Sequence, residues 1–234
     1  MGRMERKFLA HYLDANFGVG AANYVRLGKD LEAYAEELNP QVDIRRNILG
    51  EQNVIHNGYQ VQSQADPFYA DADDPLFEPI AAIANDRKTG DACQTTRVEV
   101  LFDVNGNVIW AYKEDCWVVP NSVGGDTSGV QLPFSVYNSG NRVPGVWNPS
   151  NNSFTQATIT LNNTEISIVG TGNQTLTATK SPSGGTVAWS SSDTAVATVN
   201  QSGKVTGVAP GTCKISAQYY GAVAKCKVTV TSDS

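Results

Sequence analysis

The feature that most constrains this chain is a break in its composition near Asn148-Pro149-Ser150-Asn151-Asn152-Ser153, a run of turn-forming and helix-breaking residues. Residues 1–156 hold 12 Ser plus Thr, whereas residues 157–234 hold 24 in half the length. Charge divides at the same place. The first part has 20 acids against 12 bases, a balance of −8, and the second has 3 against 5, a balance of +2. Two domains are therefore expected: residues 1–156, acidic and mixed, and residues 157–234, Ser/Thr-rich and all-β.

These numbers also bound the function. Hydrophobic residues at 41% suffice for packed cores and exclude wholesale disorder. A net charge of −6 with no Lys/Arg cluster argues against a chain that grips nucleic-acid phosphates or an anionic membrane. Only His11 and His56 are present, so proton shuttles and metal ligands are scarce. Arg3, Arg6 and Lys7 are followed by just Phe8-Leu9-Ala10 before His11, short of the roughly 7–15 apolar residues of a signal-peptide core. No window reaches the roughly 20 apolar residues of a membrane helix. Folding in the cytosol is expected, with Cys93, Cys116, Cys213 and Cys226 reduced when made.

Within the first part, Phe8–Leu13 and Tyr24–Leu27 read as strands joined by a glycine-containing loop. Leu31, Tyr34, Ala35 and Leu38 fall at i, i+3, i+4 and i+7, a helical pattern ended by Asn39-Pro40. Gln41–Leu49 and Tyr59–Gln64 read as extended, separated by a polar loop with Gly50 and Asn57-Gly58. The clearest helix starts at Asp74 as cap, with Pro75 at its first position and an apolar stripe of Leu76, Phe77, Ile80, Ile83 and Ala84; Gly90 can stop it. Asn105-Gly106 predicts a two-residue hairpin turn that places Phe102 opposite Ile109, Val100 opposite Ala111 and Arg97 opposite Glu114. Trp117–Val119 and Leu132–Tyr137 supply further β segments.

Phe8-Leu9, Tyr24 to Lys29, the Leu38-Asn39-Pro40 step, Asp74-Pro75 opening a single helix, and Gly145 to Pro149 leading to Phe154-Thr155 together resemble the major tail tube proteins of long-tailed, siphovirus-type bacteriophages. The resemblance is a distributed pattern over about residues 6–156. It implies a twisted β-sandwich or barrel flanked by one α-helix, six copies forming a ring around a central channel, and rings stacking into a tube for DNA ejection. It makes residues 31–38 extended, against their helical spacing. It turns the polar segment from Gln41 to Tyr69 into an arm that reaches a neighbouring subunit or ring. On this reading the acidic balance lets DNA slide past without specific binding, and Glu32, Glu36 and Asp43 are the candidate lumen-facing acids.

Residues 157–231 show short strands at regular spacing with turns between them, with Trp189 as a plug between two sheets. Trp189–Asp193, Val196–Val199, Gly203–Val208, Gly211 and Ile215 resemble the bacterial immunoglobulin-like group 2 family, whose members are sandwiches without the inter-sheet disulfide. The resemblance implies an external decoration able to touch host-surface glycans. Cys213 and Cys226 are symmetric about a turn at Gln218–Gly221, so they are read either as two packed thiols or as a cross-strand disulfide adding roughly 3 kcal/mol.

Other chemical signals are weak. Gly18-Val19-Gly20 lacks the last glycine of a dinucleotide loop and the strand-to-helix crossover. Asp71, Asp73, Asp74 and Glu78 lack the glycine and spacing of a calcium loop, and helix capping accounts for them. Neither histidine comes with a placed nucleophile and acid. The expected protein is thus mainly β, not an enzyme, with no cofactor and no metal: a virion protein, assembled in the bacterial cytoplasm, whose partners are copies of itself and other tail proteins. The alternative is a glycan-binding adhesin module of a cell surface.

Overall fold

The computed structural model describes residues 3–29, 31 and 33–233. The chain is mainly β and divides into two compact units, Met1–Arg142 with Asn148–Ser153, and Val143–Trp147 with Phe154–Ser234.

The first unit contains β1 (Leu9–Asp14), β2 (Tyr24–Leu27), β3 (Pro40–Arg46), β4 (Gln52–Tyr59), β5 (Gln62–Ala65), α1 (Phe77–Asn85), β6 (Gln94–Phe102), β7 (Val108–Pro120), β8 (Gly124–Asp126), β9 (Gly129–Gln131) and β10 (Phe134–Asn138). Strand β6 lies between β1 and β7; β2 pairs outside β1, β10 pairs β7, and β5 pairs β10, all antiparallel. One face of this sheet is apolar at one end. Leu13, Ala65, Cys116, Val118, Phe134 and Val136 pack there with Leu76 and Ile80 from around α1. Side chains alternate between faces along each strand, so His11, Arg97, Glu99 and Glu114 fall on the same face towards its other end.

Local chemistry sets the turns. Buried Asp14 ends β1, and its Oδ1 accepts the backbone N–H of Asn16 (3.0 Å) and Asn23 (2.8 Å), shaping the loop to β2. The β6–β7 hairpin departs from the two-residue turn expected at Asn105-Gly106. Asp103 Oδ1 accepts the N–H of both Asn105 and Asn107 at 2.8 Å, and Gly106 alone takes a positive φ, +82°. The turn therefore carries an extra residue, and the register slips between Leu101 and Phe102, so Phe102 faces Val108 and not Ile109. Beyond the bulge the expected pairs Val100–Ala111 and Arg97–Glu114 are restored.

Helix α1 starts three residues after Asp74, whose Oδ1 instead holds the N–H of Leu76 at 2.9 Å. It ends before Gly90: Arg87 takes the left-handed conformation (φ +53°), and the Lys88 N–H closes on the Ile83 carbonyl at 3.0 Å. Residues 33–38 form no helix. Glu37 exchanges two backbone hydrogen bonds with Gln62, Tyr34 is buried in the core, and Leu38 is half exposed. Residues 52–59, expected to include a loop, form strand β4.

The second unit takes in β11 (Val143–Asn148) up to Trp147, β12 (Ser153–Gln156) from Phe154, β13 (Thr158–Leu161), β14 (Glu165–Val169), β15 (Asn173–Thr175), β16 (Ala178–Ser181), β17 (Ala188–Ser191), β18 (Ala197–Val199), β19 (Lys204–Gly207), β20 (Gly211–Tyr219) and β21 (Ala222–Thr231). A four-stranded sheet runs β14-β21-β20-β17 and a three-stranded sheet β15-β19-β18. Strands β14 and β21 pair in parallel, from Glu165↔Lys227 to Val169↔Thr231. Ile166, Ile168, Leu176, Val205, Ile215 and Val228 fill the core of the unit. Half-buried Trp189 packs against this cluster and against a second one at Ala157, Ile159 and Tyr219. Gly203 is required there: its φ is +79°, and a Cβ would lie 2.2 Å from the Leu176 carbonyl oxygen and 2.9 Å from the Trp189 ring.

The cysteine register corrects the expected symmetry. The β20–β21 turn is centred on Tyr220-Gly221, so Cys213 faces Val228 and Cys226 faces Ile215. The two residues sit diagonally on one buried face, and both thiols are free.

Candidate assembly arm and buried ion cluster

Strands β3 and β4 pair with each other and with no other strand, and every residue of β3 is exposed. Cross-strand register sorts their side chains. Val42 faces His56 and Ile44 faces Val54 on one side, while Asp43 faces Ile55 and Arg45 faces Asn53 on the other. One face thus carries Val42, Ile44 and Val54 beside His56, Arg46 and Gln52, and the other carries Ile55 among Asp43, Arg45 and Asn53; Asn57 Nδ2 donates to Asp43 Oδ2 at 3.1 Å and Arg45 lies 3.8 Å from the same carboxylate. The tip at residues 47–51 is tied by Asn47, whose Oδ1 accepts the N–H of Leu49 and of Glu51 at 3.0 and 2.9 Å. This leaves Ile48 fully exposed and Leu49 78% exposed. A lone two-stranded ribbon is marginal in water, and this one leaves Val42, Ile44, Val54, Ile48 and Leu49 exposed.

The second assembly of chemistry is buried. Arg97, 4% exposed, forms an ion pair with Glu36 and lies 4.0 Å from Glu99. Arg142 donates to Glu99 Oε2 at 2.5 Å, lies 3.5 Å from Glu36 Oε2, and stacks over the Tyr112 ring at 4.5 Å. Glu114 accepts the Gly140 N–H at 2.8 Å and Asn138 Nδ2 at 3.1 Å. His11 sits among these groups at 5% exposure, its ring tilted against Tyr34 at 4.9 Å, and neither ring nitrogen has a hydrogen-bond partner. Burial first, then the positive field of Arg97, Arg6, Arg142 and Arg26, pushes its pKa down from 6.5 to about 3. His11 is thus a neutral imidazole near neutral pH.

His11, Glu36 and Glu99 hold ligand-type atoms within 4.8 Å of one another, the one such group among the described residues. Two guanidinium groups already neutralise the two carboxylates, so a divalent cation would have to displace an arginine and leave its charge unpaired. The arrangement is an ion-pair network that fixes the segment around Glu36 against β6.

The sequence-stated site residues separate in space. Glu36 is 10% exposed on its side chain and paired twice, so it belongs to the network and presents no free charge. Asp43 is exposed on the polar face of the arm. Glu32 lies outside the described residues. Asp71 pairs with Lys29 and accepts the Asp73 N–H at 2.9 Å, and His56 stacks edge-on against Tyr59 on the arm. Cys93 and Cys116 are buried, and burial pushes the Cys116 thiol up to about 12. The charged cluster was missed in sequence, although the Arg97–Glu114 pair was one signal of it. The alternation Arg97-Val98-Glu99 puts two charges on the side that Leu13 and Cys116 share.

Residues 153–230, one third of the chain, match the family described as bacterial Ig-like domain (group 2). No curated protein matches the chain. Among solved structures it is similar to the sheath/tube terminator of an extracellular contractile injection system, PVC, in its extended state, with 8% identity over 62% of this chain and 99% of the other and a TM-score of 0.40. It is similar to a chain of the baseplate of the anti-feeding prophage, with 11% identity over 59% and 91% and a TM-score of 0.33. It is also similar to the C-terminal 282-residue fragment of intimin, with 16% identity, 59% and 58% covered, and a TM-score of 0.29. All three are remote likenesses. No helix among the described residues is long and apolar enough to cross a membrane.

Proposed function

We propose that this chain is a structural, non-catalytic subunit of a phage tail or tail-like particle, whose work is self-assembly into stacked rings around a channel. The observation that carries the reading is the β3–β4 arm. A hairpin with Val42, Ile44 and Val54 on one face and Ile48 and Leu49 at its tip finds no cover within its own unit, and a further copy of the same chain supplies it. Closed rings need head-to-tail contacts between unlike surfaces, which a projecting arm provides. Six copies per ring and use of the channel for DNA ejection follow from the resemblance to tail tube proteins. The −8 balance of residues 1–156 suits a channel wall that DNA does not stick to, with Asp43 as a wall candidate.

The two-domain division at residues 1–156 and 157–234 belongs to the same proposal. The similarity of residues 153–230 to bacterial Ig-like domains supports reading the second part as an accessory module that meets host-surface glycans. The particle forms in the bacterial cytoplasm beside other tail proteins. Negative-stain electron microscopy of the purified chain at rising concentration tests the reading: rings or tubes with a central pore are expected, and a monomer that persists at high concentration overturns it.

A further inference from the structure

Residues 1–156 carry 20 acids against 12 bases, yet one cleft of the first unit is lined by two bases and no acid. It opens between the end of α1 and the end of β7, with a volume of about 610 Å³. Ile83 on α1, Trp117 and Val119 on β7 and Val123 beyond it give the cleft apolar walls. Buried Cys93 also lines it, and its thiol donates to the Lys88 carbonyl at 3.3 Å. The two bases are Arg87 and Lys88, both exposed. Lys88 lies 3.4 Å from Asp86, and Arg87 has no ion pair among the described residues. The helix ending sets where they stand: Arg87 takes a left-handed backbone, and the Lys88 N–H closes on the Ile83 carbonyl at 3.0 Å.

This combination specifies a class of ligand. A concave volume of this size, apolar with a few polar groups at its edge, suits a small molecule. The indole of Trp117 and the valines accept a ring or a branched chain. A guanidinium with no carboxylate partner offers a planar fork that matches two carboxylate oxygens, and the adjacent ammonium adds charge of the same sign. Asn121 also lines the cleft; its Oδ1 accepts the Ser135 hydroxyl at 3.1 Å, which leaves its Nδ2 as a further donor. The acid excess elsewhere in the unit does not cancel these contacts, because salt screens exposed charges beyond about 10 Å.

We propose that the α1–β7 cleft binds a small amphipathic carboxylate, its aromatic or branched aliphatic body against Trp117 and Val119 and its carboxylate on Arg87 and Lys88. The site needs no second copy of the chain, so it stands or falls apart from the self-assembly reading. The test is calorimetric titration of the full-length chain with 2-naphthoate and with its uncharged counterpart 2-naphthylmethanol. Naphthoate is expected to bind about tenfold more tightly than the alcohol, a comparison that needs no variant. Arg87→Asn with Lys88→Gln is expected to weaken naphthoate about tenfold and to leave the alcohol unchanged; Asn suits the left-handed position, so the helix ending is kept. Location is read by iodoacetamide labelling and peptide mass spectrometry: saturating naphthoate is expected to slow alkylation of Cys93 and not of Cys213, which lies in the second unit. Absence of naphthoate binding, equal affinity for acid and alcohol, undiminished affinity in the double variant, or a Cys93 that naphthoate leaves unprotected each overturns the proposal.

Discussion

The buried histidine makes the protein's stability depend on pH in a way that one substitution can isolate. His11 on β1 faces Glu99 and Arg97 on β6, Glu36 and Tyr34 from the segment before β3, and the field of Arg6, Arg26 and Arg142. Its pKa falls from 6.5 to about 3 on folding. Below pH 6.5 the unfolded chain therefore binds a proton that the native chain refuses. The stability concerned is present above pH 6.5 and drains away as the pH falls towards 3. Each pH unit in that window costs about 1.4 kcal/mol, so moving from pH 7.5 to 4.5 removes about 3 kcal/mol through this residue alone. Other carboxylates titrate over the same range, and comparison with His11→Leu subtracts them, because the aliphatic side chain has no proton to bind. Urea unfolding of both full-length proteins at the two pH values, followed by tryptophan fluorescence with Trp110 and Trp117 as reporters of the first unit, gives the double difference. The wild type is expected to lose about 3 kcal/mol more than the variant. Parallel losses would refute the assignment of His11 as a neutral buried base.

Three further outcomes follow from the packing. Arg97→Leu leaves Glu36 without its closest cation and is expected to destabilise the first unit by about 3–5 kcal/mol in the same urea assay, with Glu36→Gln recovering part of the loss. Gly203→Ala forces a Cβ into the Leu176 carbonyl at a left-handed position and is expected to cost more than about 2 kcal/mol, read as a lower melting temperature of the second unit by Trp189 fluorescence. All four cysteines are buried and free, so a thiol-reactive dye is expected to label the native protein slowly and to count four thiols after denaturation; a count of two would mean that Cys213 and Cys226 are joined.

What was legible in the sequence was what local chemistry dictates. The strand expected at Phe8–Leu13 corresponds to β1, the pairs Val100–Ala111 and Arg97–Glu114 stand opposite each other, and strands lie at Trp189 and at Val196–Val199. Residues 33–38 are extended, as the tail-tube resemblance implied, because their helical spacing yields to Tyr34 entering the core and to the Glu37–Gln62 backbone pair, neither of which a local pattern contains. The misplaced details have physical causes. The Asn105-Gly106 turn gained a residue because Asp103 accepts two backbone N–H groups, and a side-chain anchor shifts register more readily than it alters strand identity. Of the site, Asp43 could be placed on an exposed arm from its polar surroundings. The Glu36–Arg97–Arg142 network could not, since its members come from segments 61 and 45 residues apart and meet only through the folded sheet.

The parallel pairing of β14 with β21 also decides how the second unit carries a mechanical load. These strands lie near its two ends in sequence, and their ladder runs over five residue pairs. Tension applied between Glu165 and Thr231 acts along the strands, so the hydrogen bonds of that ladder are sheared together and not peeled open one at a time. A module clamped in this way resists extension until the whole ladder fails at once, with a lifetime set by its unfolding barrier rather than by its equilibrium stability.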